Sequence, residues 1–125
     1  SPAVRRECAI ALRHEKTIEA AALWAELAIR HDGKDRWYLE ALGLSSDLNA
    51  DACFDAWLAK VGDKWNSPVG RDIIWRVRAK SAPSYLVEIL KDEKISAESH
   101  PRFVRALDFH SGPEKDKALE SLLDI

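Results

Sequence analysis

Apolar residues recur along the chain at intervals of three and four positions, which is the spacing of one face of an α-helix. Breaks rich in proline, glycine and serine separate these stretches, and no stretch alternates apolar and polar residues for long enough to predict a strand. The pattern predicts eight short helices, near residues 2–13, 17–31, 35–44, 49–61, 68–79, 83–92, 100–109 and 113–123. We therefore expect an all-α protein.

The five prolines stand at predicted helix starts and none interrupts a helix. Each follows a serine by one or two positions, as in Ser1-Pro2 and Ser67-Pro68. A serine hydroxyl can accept a hydrogen bond from the free N–H groups of a first helical turn. A proline in that turn loses no hydrogen bond and presets the backbone φ angle. The sequence therefore predicts that serine hydroxyls cap these helices.

The helices pair into four hairpins that begin near residues 1, 34, 67 and 99, a period of about 33 residues. Periods of this length indicate stacked helical repeats, in which each unit needs a neighbour to cover its apolar face. We expect one α-α superhelix (solenoid) domain over residues 1–125, with units near 1–33, 34–66, 67–98 and 99–125. An arginine lies early in the first helix of every unit, and these side chains are expected to form a ladder of hydrogen bonds to the neighbouring unit: Arg6, Arg36, Arg71 and Arg102.

The second helices of the first two hairpins have a narrow polar side. In residues 17–31 the strongly polar side chains are Glu19, Glu26 and Arg30, which lie within about 40° of one another at 100° per residue. Asp51 and Asp55 mark the solvent side of the next second helix in the same way. Surface helices usually have a wider polar face. The pattern therefore predicts helices that are packed on three sides.

Five tryptophans are a large number for a chain of 125 residues. Trp24, Trp57 and Trp75 stand among apolar residues, so we expect them in the core. Trp37 and Trp65 stand beside charged residues near hairpin ends. Each of these two either covers the join between repeats or is an exposed anchor at an interface, where tryptophan is enriched.

Several segments resemble HEAT-type repeats, in particular "GKDRWYLEALG", "GDKWNSPVGRDIIWR" and "RALDFHSGPEKDKAL". They are similar to the HEAT-like segment of large bacterial proteins, where it lies between a propeller-type, sugar-dehydrogenase-like domain and a c-type cytochrome domain. The resemblance implies that this chain is a piece of an extracytoplasmic, multidomain protein. The chain contains no CxxCH sequence and no propeller strand pattern, so haem binding and dehydrogenase activity are not expected of it.

Charge argues against two classes of partner. The formal net charge is −2 and the pI is about 6.1, so neither nucleic acid nor an anionic membrane surface would be attracted by bulk electrostatics. No apolar run approaches the roughly 18 residues of a membrane helix. We expect no nucleic-acid and no membrane partner.

Candidate chemistry is sparse. The four histidines form no HxxxH or HExxH pair, and neither cysteine stands at ligand spacing from a histidine; zinc sites need such clusters. No phosphate-binding glycine loop and no GxSxG sequence occurs, so we expect no metal, no cofactor and no catalytic residue.

Two functions remain. The first is a non-enzymatic scaffold or interaction module that contacts another protein or a neighbouring domain of the same chain. Its contact surface would be the polar side of the second helices with two tryptophan anchors: Glu19, Glu26, Arg30, Trp37, Asp51, Asp55, Trp65, Glu88 and Lys91. The alternative is a nucleic-acid-binding module resembling the HEAT-like DNA glycosylases that repair alkylated bases, which use tryptophan and aspartate on a basic concave face. This chain has the tryptophans but lacks the basic face.

Overall fold

The computed structural model describes residues 1–123 and is built of eight α-helices and three short 3-10 turns, with no strand among those residues. The helices are α1 (Pro2–Ala11), α2 (Ile18–Ile29), α3 (Arg36–Ser46), α4 (Ala50–Val61), α5 (Pro68–Arg76), α6 (Ala82–Lys91), α7 (His100–Ala106) and α8 (Pro113–Leu122), and the 3-10 turns are Gly62–Trp65, Ala97–Ser99 and Leu107–Phe109. The prediction of an all-α protein with eight helices is confirmed. No helix in residues 1–123 is both long and apolar enough to cross a membrane.

The backbone contacts divide the chain into two compact units. The first runs from Ser1 to Ala79 and contains α1–α5, and the second begins at Lys80 and contains α6–α8. The division falls inside the third of the four repeats predicted from the sequence. The prediction of a single solenoid domain stays a prediction, and each unit is described by itself.

In the first unit, helices pack mainly against the helix two positions along the chain. The most extensive contacts are those of α1 with α3 and of α2 with α4, and α5 packs against α3. Contacts between the two helices of a hairpin, such as α1 and α2, are far fewer. The first unit therefore consists of one row formed by α1, α3 and α5 beside a second row formed by α2 and α4.

Hydrogen bonds from two buried aromatic side chains tie these rows together. The indole Nε1 of Trp24 donates to the carbonyl oxygen of Leu42 at 2.8 Å, and the hydroxyl of Tyr38 donates to the carbonyl oxygen of Leu27. Trp57 is buried like Trp24, so both are in the core as predicted. These bonds satisfy polar atoms of large rings that would otherwise be costly to bury.

The second unit is smaller, and α6 packs against both α7 and α8. Leu86 and Ile89 of α6 are fully buried, and Phe103 of α7 is almost fully buried. The more polar α8 buries one residue among those described, Ala118. Helix α6 is therefore the centre of this unit.

Prolines occupy the first turn of five helices, as predicted: α1, α5, α6, α7 and α8. The serine caps are present at two of these starts. The hydroxyl of Ser1 accepts from the N–H of Val4 at 3.3 Å, and that of Ser67 accepts from the N–H of Gly70 at 3.0 Å.

The serine caps predicted at the other three starts are wrong. Ser81 and Ser99 accept no first-turn N–H group from any residue among 1–123, and their backbones are helical rather than extended. An N-cap side chain accepts from the first turn when its own backbone is extended. Gly112 rather than Ser111 precedes α8, with a φ of 95° that favours glycine.

Two helices end three residues earlier than predicted, a larger difference than at the other helix ends. Helix α5 ends at Arg76 instead of residue 79 because Val77 is extended, with a ψ of 142°. In an extended segment residues i and i+2 point to the same side, and Val77 and Ala79 are both buried. Helix α7 ends at Ala106, and a 3-10 turn follows. Trp75, predicted to be core, is half-buried.

Candidate functional site

The neighbouring helices α2 and α4 present one solvent-exposed surface, which we call the α2–α4 face. Thr17 starts α2, since its hydroxyl accepts from the N–H of Ala20 at 3.0 Å, and α4 is the helix that packs most closely against α2. The exposed or half-exposed side chains of the face are Ile18, Glu19, Ala22, Leu23, Glu26, Ile29 and Arg30 of α2, and Asp51, Ala52, Asp55, Ala59 and Lys60 of α4.

A cluster of three charges joins the two helices. The Nζ atom of Lys60 lies 2.6 Å from Oε1 of Glu26, and Nη1 of Arg30 lies 3.3 Å from Oε2 of the same carboxylate. The hydrogen bond from Lys60 holds the pKa of Glu26 below its ordinary value. This carboxylate is therefore already neutralised by two cations of its own chain.

The structure brings together five of the nine residues predicted for the contact surface. Glu19, Arg30, Asp51 and Asp55 are exposed, Glu26 is half-buried, and all five lie on the α2–α4 face. The polar side of these two helices is thus the solvent side, as the sequence predicts.

Sequence reasoning missed the apolar part of this face. Ile18 is 85% exposed, and Leu23 and Ile29 are nearly half exposed. Helix α2 does pack against α1, α3 and α4, but the prediction that its solvent-exposed side is narrow is wrong. Periodicity identifies which residues are apolar, but it does not show on which side of the helix a neighbour is present.

The two predicted tryptophan anchors differ from each other. Trp37 is 63% exposed at the start of α3, and the guanidinium carbon of Arg36 lies 5.1 Å from its ring centre. Trp65 is half-buried in the 3-10 turn after α4, where its carbonyl accepts from the N–H of Ser67 at 3.0 Å. Trp37 therefore has the exposure that an interface anchor needs, and Trp65 belongs to a turn.

The last two predicted site residues lie in the second unit. Glu88 and Lys91 are both exposed on α6. The Nζ atom of Lys91 donates to Oγ of Ser121 on α8 at 2.7 Å. Within this unit Lys91 therefore helps to hold α8 against α6.

Of the predicted arginine ladder, the contact described between neighbouring hairpins is an ion pair of Arg6 rather than a hydrogen bond. Arg6 lies 3.9 Å from the carboxylate of Asp35, which caps the next hairpin. Arg71 instead donates to Oδ1 of Asn66, five residues before it, at 2.9 Å. Arg102 lies over the ring of the adjacent phenylalanine.

Arg76 forms the main buried ion-pair cluster described in the first unit. It donates from Nε and Nη2 to Glu40, and from Nη1 and Nη2 to Asp47, over 3.1 to 3.3 Å. Burial by itself lowers the pKa of a guanidinium, but the hydrogen bonds from Asp47 and Glu40 outweigh it and hold the pKa of Arg76 above its ordinary value. The cluster links α5 to α3 and to the residue that ends α3.

A histidine–aspartate pair lies in the same unit. Nε2 of His31 lies 2.9 Å from Oδ2 of Asp72, and the imidazole is parallel to the ring of Tyr38. Such pairs can carry acid–base chemistry. The side chain of His31 is almost completely buried, so a substrate cannot reach it in this structure, and the pair joins α5 to the end of α2.

Other candidate sites are weak. Among residues 1–123 no three His, Cys, Asp or Glu side chains are grouped so that they could hold a metal ion. A groove of about 600 Å³ lies between α6 and α8. Its rim carries two lysines and two glutamates, so its charge selects no ligand class. The groove is lined by Lys80, Ser81, Ser84, Val87, Glu114, Lys117, Ala118, Glu120 and Ser121.

Comparison with known proteins gives no relative from which a function can be transferred. No family model, no curated protein and no solved structure matches the chain.

Proposed function

We propose that this chain is a non-enzymatic interaction scaffold of stacked HEAT-like hairpins that uses the α2–α4 face as its contact surface. The packing of α1 on α3 and of α2 on α4 supports this proposal, because stacked hairpins place equivalent helices side by side in two rows. The partner is another protein or a neighbouring domain of a larger parent chain.

The observation that carries the proposal is the composition of the α2–α4 face. Branched apolar side chains at Ile18, Leu23 and Ile29 are exposed among carboxylates on one helix. Contiguous apolar surface bordered by polar groups is typical of protein interaction sites. The first unit leaves about half or more of each of these three residues uncovered, and contact with a partner accounts for this exposure best.

The charges of the face oppose a nucleic-acid partner. Four carboxylates, those of Glu19, Glu26, Asp51 and Asp55, stand there with the cations of Arg30 and Lys60. Phosphate contacts require an excess of basic side chains. The glycosylase-type alternative therefore lacks the electrostatic surface on which it depends.

Charge reversal on the face tests the proposal. The double variant Glu26→Lys with Asp55→Lys should lose partners in affinity capture followed by quantitative mass spectrometry. The control is Glu15→Lys with Glu98→Lys, which makes the same change of charge at two exposed positions that are not among the residues of the face. Thermal unfolding should show that both double variants are folded.

The result that contradicts the proposal is an identical set of captured partners for both double variants. Binding to duplex DNA with a steep dependence on salt concentration would favour the nucleic-acid alternative instead.

A further inference from the structure

The apolar residues of α2 form a continuous strip beside its charged residues. At 100° per residue, Ile18, Ala22 and Ile29 lie within about 40° of one another, and Glu26 and Glu19 follow on one side of them. The strip extends over about 16 Å, since it spans three helical turns. All five side chains are exposed or half-exposed. A partner that covers the strip therefore meets carboxylates along its flank.

Two carboxylates of the α2–α4 face, those of Glu19 and Asp55, are available to a partner. Within residues 1–123 neither Glu19 nor Asp55 forms an ion pair, although both are exposed. Glu26 is different, because Lys60 and Arg30 already bind it. The uncompensated charge of the face is therefore negative, with Glu19 beside the apolar strip on α2 and Asp55 on the neighbouring helix α4.

We propose that the partner binds this face through a basic amphipathic α-helix of about three turns, with apolar side chains on the strip and Lys or Arg side chains directed to Glu19 and Asp55. This inference rests on the proposed function. Helices commonly bind proteins by placing one apolar face on an apolar surface of this length. The small side chains of Ala22, Ala52 and Ala59 on the face let a helix approach closely.

Two other occupants fit the face less well. An extended peptide usually binds by adding a strand to a sheet edge, and residues 1–123 contain no strand. A second copy of this chain would bring its own Glu19 and Asp55 against the same carboxylates. Only a partner of opposite charge turns these two residues into favourable contacts.

The test uses a synthetic helix as the probe. A labelled peptide of about 15 residues carries leucine at positions 1, 5, 8 and 12 and lysine on both sides of that stripe, so that it forms about four turns. Fluorescence anisotropy with the full chain measures its binding. Two control peptides are used. One has the same composition in shuffled order, and the other has glutamate in place of every lysine. We expect only the first peptide to bind, more weakly as salt concentration rises.

Variants of the chain locate the binding site. Ile18→Ser with Ile29→Ser should weaken peptide binding by on the order of tenfold or more, because two apolar contacts are lost. Val104→Ser with Leu119→Ser removes two exposed apolar side chains of the second unit and should leave binding unchanged. Glu19→Gln with Asp55→Asn should weaken binding and reduce its salt dependence.

Equal binding of the stripe and shuffled peptides, or equal binding of the lysine and glutamate peptides, overturns this inference. So does equal loss of binding in both pairs of serine variants. These outcomes would not refute the proposed function, which the capture experiment tests separately. A partner lost on Glu26→Lys with Asp55→Lys would still identify the face as a contact surface.

Discussion

The side chain of Arg76 on α5 lies where a β-carbon of Gly43 on α3 would stand. The missing side chain at Gly43 gives the guanidinium room to reach Glu40 and Asp47, which it binds over 3.1 to 3.3 Å. The glycine is therefore required by its neighbour, although it lies inside a helix, where glycine is unfavourable.

Gly43→Ala should lower the free energy of unfolding by about 1–3 kcal/mol, because the methyl group collides with a side chain that four hydrogen bonds hold in place. The same change inside an ordinary helix stabilises a protein by about 0.5–1 kcal/mol. Urea unfolding of both proteins measures the difference. In an Arg76→Ala background Gly43→Ala should be neutral or stabilising, and an equal cost in both backgrounds would show that Arg76 is not the cause.

Removing the positive charge of the Arg76 cluster should cost less unfolding free energy than removing its two negative charges. The side chain of Arg76 is 9% exposed, whereas those of Glu40 and Asp47 are 47% and 30% exposed. Glu40→Gln with Asp47→Asn leaves a buried cation without a counter-charge, at a cost of about 2–4 kcal/mol. Arg76→Met leaves carboxylates that water can reach, so it should cost less, about 1–2 kcal/mol. Denaturant unfolding measures both losses of unfolding free energy. A larger loss for Arg76→Met than for Glu40→Gln with Asp47→Asn would contradict this account of the cluster.

The Glu26–Lys60 pair should contribute to stability only where the carboxylate is ionised. Because the hydrogen bond from Lys60 lowers the pKa of Glu26 from 4.5, the contribution is present above that value and is lost as pH falls through the folded pKa. The gap in unfolding free energy between the natural chain and Lys60→Met should therefore close on acidification. Urea titrations between about pH 3 and pH 7 measure it. The gap is expected to be small and to shrink in high salt, because the pair is exposed; a gap that widens in acid would refute the assignment.

The two cysteines should differ in reactivity. Cys8 is exposed, whereas Cys53 is buried and burial raises its pKa to about 11. A thiol reagent at neutral pH should therefore modify one thiol per folded chain, and the second only in denaturant, since the thiolate is the reactive form. The variant Cys8→Ser should show no rapid reaction when folded. Rapid labelling of that variant would mean that Cys53 is not shielded.

Local signals in the sequence were sufficient for the number of helices and their approximate positions. Pro2 and Pro68 each mark a helix start, and the core positions of Trp24 and Trp57 follow from the apolar residues around them. These features depend on residues within one or two helical turns, so a single sequence contains them.

Features that depend on distant parts of the chain could not be predicted. Arg76 reads as an ordinary polar residue at the end of a helix, and only the fold brings it to Glu40 and Asp47. The charged half of the α2–α4 face was predictable, because charge marks the solvent side. Its apolar half, at Ile18 and Ile29, was not, because an apolar residue is equally consistent with a covered and an uncovered side of a helix.

Helix α1 packs extensively against α3, but it buries few of its own side chains. Ala9 is its one buried residue among those described, and the ion pair of Arg6 with Asp35 is long, at 3.9 Å. A helix with so few buried side chains should open at a lower free-energy cost than the whole unit, so its amide hydrogens should exchange with solvent before those of α2. Each opening would uncover part of α3, including the ring of Tyr38 over which Arg5 lies. The uncovered surface could then bind the first helix of another molecule by domain swapping.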